Sequence, residues 1–173
     1  MESLVAACER RDVPARVVGV GADRGCEGIA RAERHGIDTW VVEPRDYPNR
    51  VSWGDALLER VEKAMPDLVV SAGFMRILPP AFVDVFEGRL INLHPSLLPD
   101  FPGAHAVRDA LNAGVRQTGT TVHFIDRGVD SGPVLLQQVV PIRVGDTEAT
   151  LHERIKEVEH ALLPEACRRL LQG

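Results

Sequence analysis

The sequence predicts an α/β fold: an open, mostly parallel sheet with helices on both faces. Three observations lead there. Short β-branched runs alternate with amphipathic, helix-length segments along most of the chain. The run Asp67–Ala72 (DLVVSA) is apolar on both faces, as a strand buried between two helical layers must be. The run Leu90–His94 (LINLH) passes straight into a proline-laden loop, and ligands bind outside the carboxyl ends of strands in sheets of this kind. The 173 residues suit a single domain large enough for a real core.

The elements follow in order. Met1 to Arg11 has Leu4, Val5 and Cys8 at helical spacing and reads as the later turns of a helix. Ala15 to Gly21 (ARVVGVG) is a buried strand ended by glycine, and Cys26 to His35 is a helix closed by Gly36. Thr39 to Glu43 is the next strand and Pro44 to Asn49 a loop. Arg50 to Met65 is a helix with Val51, Leu57, Leu58 and Val61 on one stripe, stopped by Pro66. The Asp67 strand reads as a central one. Gly73 to Pro80 (GFMRILPP) is a loop at its carboxyl end, with Met75, Ile77 and Leu78 apolar where loops are usually polar. They either plug the core or line a pocket for a flat apolar ligand.

A short helix, Ala81 to Phe86, leads to the Leu90 strand, and His105 to Ala113 is a helix ended by Gly114. Thr118 to Ile125 is a strand with Thr121 and His123 on one face. Gly128 to Pro133 (GVDSGP) is a tight turn, and Val134 to Ile142 is a strand expected to pair antiparallel with its neighbour. Glu148 to Leu171 is a long amphipathic helix interrupted by Pro164. Repeats, low-complexity stretches and linkers are not evident.

Charge and composition narrow the function. A formal net charge of -5, with 20 Lys and Arg scattered among 25 Asp and Glu, argues against a nucleic-acid surface. The three cysteines, Cys8, Cys26 and Cys167, are odd in number and lack C-x-x-C spacing, so they read as reduced thiols of a cytoplasmic protein. No apolar run reaches transmembrane length, and Glu2 and Glu9 stand where a signal peptide needs apolar residues. The histidines are too dispersed for a metal site, and no Walker loop or G-x-G-x-x-G is present.

One pair of residues carries chemistry. Asn92 and His94 are two apart, so on a strand they face the same way, and Pro95 stops the strand immediately after them. An amide and an imidazole then stand side by side at a strand's carboxyl end, able to donate to an oxyanion and to move a proton. A loop cap, with both side chains bonded only to backbone, is the equal alternative on local grounds. Taken alone, Asp130 in its glycine-flanked turn is ordinary turn chemistry, His123 a satisfied strand histidine, Glu159 a solvated helix face and Arg76 a surface charge.

Together these segments are recognisable. N-L-H-P-S-L-L-P-D-F-P-G at 92–103 and T-G-T-T-V-H-F-I-D-x-G-V-D-S-G-P-V-L-L-Q at 118–137 resemble the formyltransferases that use 10-formyltetrahydrofolate. S-A-G-F-M-R-I-L at 71–78 and E-H-x-L-L-P in the last helix extend the resemblance over nearly the whole chain. It is nearest to the branch that formylates glycinamide ribonucleotide in purine (IMP) biosynthesis. The resemblance implies a Rossmann-like formyltransferase domain over 1–173 with Asn92, His94 and Asp130 as the catalytic set and no metal. It implies a folate site built from Met75, Arg76, Ile77 and Leu78 with Asn92 and the turn Asp126, Arg127, Gly128, Val129 and Asp130, with Arg50 matching a basic residue near the folate tail. Pro95 and Glu159 fall to the ribonucleotide, Glu159 on its ribose hydroxyls.

The chain also departs from that family. The resemblance implies a first strand and glycine-rich turn ahead of the helix that here begins at Met1, and further strands after Gly173. Met1 therefore reads as an internal methionine of a chain truncated at both ends. The expectation is that these 173 residues are poorly soluble or form a homodimer through an open sheet, with negligible transfer to the ribonucleotide, and that restoring the strand and turn recovers both. Two other readings stay open: a formyltetrahydrofolate deformylase-like hydrolase, which should carry a second His where Pro95 stands, and a non-catalytic folate-binding remnant. Methionyl-tRNA formyl transfer fits less well, since it calls for a second domain and a basic RNA surface.

Overall fold

A computed structural model describes residues 1–172. The chain runs α1 (Glu2–Glu9), β1 (Val20–Ala22), α2 (Glu27–Arg34), β2 (Thr39–Val41), α3 (Arg50–Lys63), β3 (Val69–Ala72), α4 (Pro80–Val85), β4 (Leu90–His94), α5 (Ala106–Asn112), β5 (Gln117–Phe124), β6 (Val134–Pro141) and α6 (Glu148–Gln172), with a short 3-10 turn at Pro44–Asp46. The α/β class and the alternation of elements are as expected.

The strands form two sheets. β1 and β2 pair in parallel, and a second sheet has the order β3-β4-β5-β6. Within it β3 and β4 are parallel, while β5 runs antiparallel to both β4 and β6. The Asp67 run is thus an edge strand of its sheet, and only Val69 to Ala72 enter the ladder. The expected strand from Ala15 to Gly21 is cut to Val20–Ala22. Residues 15–19 are β-prone but find no ladder partner, and a strand exists only where its backbone groups are paired. Val17, Val18 and Gly19 instead border an apolar slot of about 760 Å³ between β1 and β3, closed by Trp40, Leu163 and Cys167.

Local chemistry explains the helix ends. The Asn49 side chain accepts from the Ser52 N–H at 2.9 Å and caps α3. Trp53 donates from Nε1 to the Val42 carbonyl at 2.9 Å, tying that helix to the end of β2. Gly36 closes α2 with φ +66°, a conformation side chains resist. The expected interruption of α6 at Pro164 does not occur: the helix runs through it. An interior proline costs about 3 kcal/mol. Burial on both sides offsets this, with Leu163, Ala166 and Cys167 packed against Ala7, Val13, Ile91 and Val122, and Leu151 and Ile155 against Val107 and Val140.

β4 lies between the two layers, with Leu90 and Ile91 fully buried. Its register sets the site. Asn92 is opposite Ser71 of β3 and His123 of β5, and His94 is opposite Thr121. Directly opposed residues of an antiparallel pair share a face, so this register brings Asn92 and His123 together across 31 positions of sequence.

Candidate active site

β4 ends at His94, as the following proline requires. The loop beyond it is fixed by hydroxyl and amide bonds. Thr121 donates from Oγ1 to the Ser96 carbonyl at 2.7 Å and accepts from the Leu98 N–H at 3.1 Å. Gln137 Nε2 donates to the Leu98 carbonyl at 2.7 Å, and Ser96 Oγ to the Asp100 carbonyl at 2.5 Å. The His94 ring is buried, and its Nε2 lies 2.9 Å from the Phe101 carbonyl. A carbonyl only accepts, so Nε2 carries the hydrogen and Nδ1 faces the site.

The turn after β5 supplies the carboxylate. Asp126 Oδ1 accepts from the Gly128 N–H and from Ser131 Oγ, both at 2.9 Å, which folds the turn upon itself. Gly132 is required because a Cβ there would overlap the Phe124 carbonyl. Asp130 sits at φ +51°, a left-handed conformation that Asp tolerates better than most residues. Its Oδ2 accepts from the Gly103 N–H at 2.7 Å and stands 3.4 Å from His94 Nδ1. Its Oδ1 is 3.6 Å from Nε2 of His123. Asn92 Nδ2 is 3.2 Å from that same Nε2, and His123 Nδ1 is 2.9 Å from the Phe124 carbonyl. Burial pushes the His123 ring below its ordinary pKa, although the Phe124 carbonyl and Asp130 pull the other way.

Asn92, His94 and Asp130 are therefore brought together, and the loop-cap alternative accounts for only one of the bonds, that of His94 to Phe101. The other expected residues form a second group. Arg50, Met75, Arg76 and Ile77 line a pocket of about 530 Å³ with Tyr47 and Trp53. Arg50 donates from Nη2 to the Ile77 carbonyl at 2.7 Å, and Arg76 pairs with Asp23. Met75 and Ile77 are exposed, while Leu78 packs with Phe74 and Ile125 in one apolar cluster that joins this loop to the Asp130 turn. Within that turn Val129 is exposed, and Arg127 is held by both carboxylate oxygens of Asp84, at 3.0 and 2.8 Å.

Pro95 is half-buried at the end of β4. Glu159 is not a solvated helix face: Thr120 Oγ1 is 3.2 Å from its Oε1 and also 3.2 Å from the His94 carbonyl, and burial raises its pKa. His123 is the residue that local pattern passed over. The signal for it was the pairing of two strands, LINLH with TVHF. Among the described residues no group of three or more His, Cys, Asp or Glu is placed to hold a metal ion.

An amide donor, an imidazole and a carboxylate converging beyond a buried strand have the chemistry to stabilise an oxyanion and to move a proton at a carbonyl carbon, the equipment of an acyl-group enzyme. The family model described as formyl transferase matches residues 1–167, and the chain belongs to that family. Phosphoribosylglycinamide formyltransferase of Mycobacterium tuberculosis (strain ATCC 25618 / H37Rv) is 53% identical over 152 residues, 88% of this chain and 71% of that protein. The crystal structure of glycinamide ribonucleotide transformylase 1 from Symbiobacterium toebii superposes with a TM-score of 0.97 at 42% identity, covering 99% of this chain and 82% of that one. A formyltetrahydrofolate deformylase from Pseudomonas syringae pv. tomato is more distant, with TM-score 0.90 at 26% identity, covering 99% of this chain and 57% of that one.

Proposed function

We propose that this protein transfers the formyl group of 10-formyltetrahydrofolate to the primary amine of glycinamide ribonucleotide, a step of purine biosynthesis. The observation that carries the reading is the Asp130 carboxylate 3.4 Å from His94 Nδ1, with Asn92 on the same face of β4. The neutral amine attacks the formyl carbon, forming a C–N bond and leaving an oxyanion and an ammonium. Asn92 donates from Nδ2 to the oxyanion. His94 acts through Nδ1, because Nε2 is committed to the Phe101 carbonyl. Asp130 accepts the ammonium proton, directly or through water. The bond to the folate nitrogen then breaks, and that nitrogen takes the proton.

In this reading Arg50, Met75, Arg76, Ile77 and Leu78, with the turn Asp126 to Asp130, hold the folate, and Pro95 and Glu159 hold the ribonucleotide. Three free cysteines suit a cytoplasmic setting. No helix among the described residues is long and apolar enough to cross a membrane. The unpaired edges of β1 and β3 suit a homodimer.

The test is an assay of the purified protein with formyl-labelled co-substrate and saturating ribonucleotide. Label in an N-formyl product that depends on the acceptor supports the proposal. Label released as formate whether or not the acceptor is present assigns the hydrolytic reading favoured by the deformylase likeness. Folate binding without either product assigns the non-catalytic one.

A further inference from the structure

His123 is buried, with 2% of its surface exposed, and stands directly opposite Asn92 across the β4–β5 pair. The transfer steps above do not use it. Its hydrogen bonds nonetheless admit only one arrangement. Nδ1 lies 2.9 Å from the Phe124 carbonyl, which can only accept, so Nδ1 carries the hydrogen. Nε2 of the neutral ring is then a bare acceptor. Asn92 Nδ2, which can only donate, sits 3.2 Å from it.

The consequence falls on the amide. The two ends of an asparagine side chain are nearly identical in shape and opposite in polarity. A bare Nε2 binds the NH₂ end and repels the carbonyl end. Held there, Nδ2 keeps its second hydrogen free for the formyl oxygen. Turned over, the amide would present Oδ1 to the developing oxyanion, and the donor would become a repulsive charge.

We propose that His123, as its Nδ1–H tautomer, is a positioning residue for formyl transfer: Nε2 selects the orientation of the Asn92 amide that can stabilise the oxyanion. The inference rests on the formyl-transfer reading above. Protonation of the ring would undo the arrangement. An Nε2–H would oppose Nδ2 and turn to Asp130 Oδ1, 3.6 Å away, which is the carboxylate that His94 also faces. The charged and titratable groups acting on His123 are Asp130, His94 and Asp126, and burial outweighs the two carboxylates in holding the ring neutral.

Two substitutions and one spectrum test this. His123→Leu should lower kcat by about 10- to 100-fold, the usual cost of losing a residue that orients a functional group, with both KM values nearly unchanged. His123→Gln, whose Oε1 can accept where Nε2 did, should recover most of that loss. ¹⁵N spectra of the labelled histidine rings in the unaltered protein should show His123 as the Nδ1–H tautomer at neutral pH. An Nε2–H tautomer or a charged ring at neutral pH overturns the proposal, as does full kcat in a folded His123→Leu or equal loss of kcat in the Leu and Gln variants. If His123→Leu does not fold, the Gln variant and the spectrum still decide. The tautomer is read without turnover, so a protein that fails to transfer formyl defeats the functional reading and leaves this one to the spectrum.

Discussion

Asp130 and His94 lie 36 positions apart in sequence, yet the Asp130 carboxylate faces Nδ1 of the His94 ring at 3.4 Å. The turn geometry that permits this is expensive for most residues, since Asp130 is left-handed at φ +51°. Asp130→Asn keeps the shape of the turn and its bond from Gly103, and removes the charge that accepts the amine's proton. Turnover should fall steeply while the fold is retained, measured by initial rates and by thermal unfolding. An Asn variant that unfolds, with whatever remains folded fully active, would return Asp130 to turn chemistry.

Asn92→Ala removes one oxyanion donor. Turnover should drop roughly 10²–10³-fold, with little change in the affinity for a folate analogue. His94→Ala should cost at least as much, because it deletes a proton carrier at the same point. Rates within a few fold of the parent would leave both residues as loop caps.

The Gly73–Pro80 loop offers a test that separates the two ligands. Arg76 pairs with Asp23 and lines the pocket that also holds Arg50. Arg76→Ala should weaken binding of a folate analogue, by calorimetry, while ribonucleotide affinity stays nearly constant. Equal weakening of both would indicate a general disturbance of the fold.

Glu159 gives a pH dependence with a definite sign. Burial raises its pKa, so the folded state favours the neutral carboxyl more than the unfolded state does. Below the ordinary glutamate value the group is neutral in both states and costs nothing. As pH rises from that value through the raised one, the unfolded chain ionises first and stability is lost. Glu159→Gln should therefore be more stable than the parent at neutral pH, with the advantage vanishing in acid, by urea midpoints. It should also bind the ribonucleotide more weakly. A constant stability difference across pH would contradict the burial argument.

How far the sequence reaches can be seen residue by residue. Asn92 and His94 were legible because a strand has a period of two and Pro95 marks where it stops. Asp130 was legible only through the family resemblance, since a glycine-flanked Asp is common in turns. His123 was hidden because its role follows from the register between two strands, and local patterns carry no register. The same limit applies to β1: the run from Ala15 is β-prone, but only Val20–Ala22 has a partner. Pro164 misled for a different reason, since tertiary packing on both sides of it outweighs a local helix-breaking preference.

The most direct test of the account follows a ¹³C-labelled formyl group through one reaction with saturating glycinamide ribonucleotide, in the parent protein and in Asn92→Ala. The account predicts label in an N-formyl amide, one for each 10-formyltetrahydrofolate consumed, and a rate that collapses in the variant with the product unchanged. Label appearing as formate at the same rate with or without the ribonucleotide would contradict it.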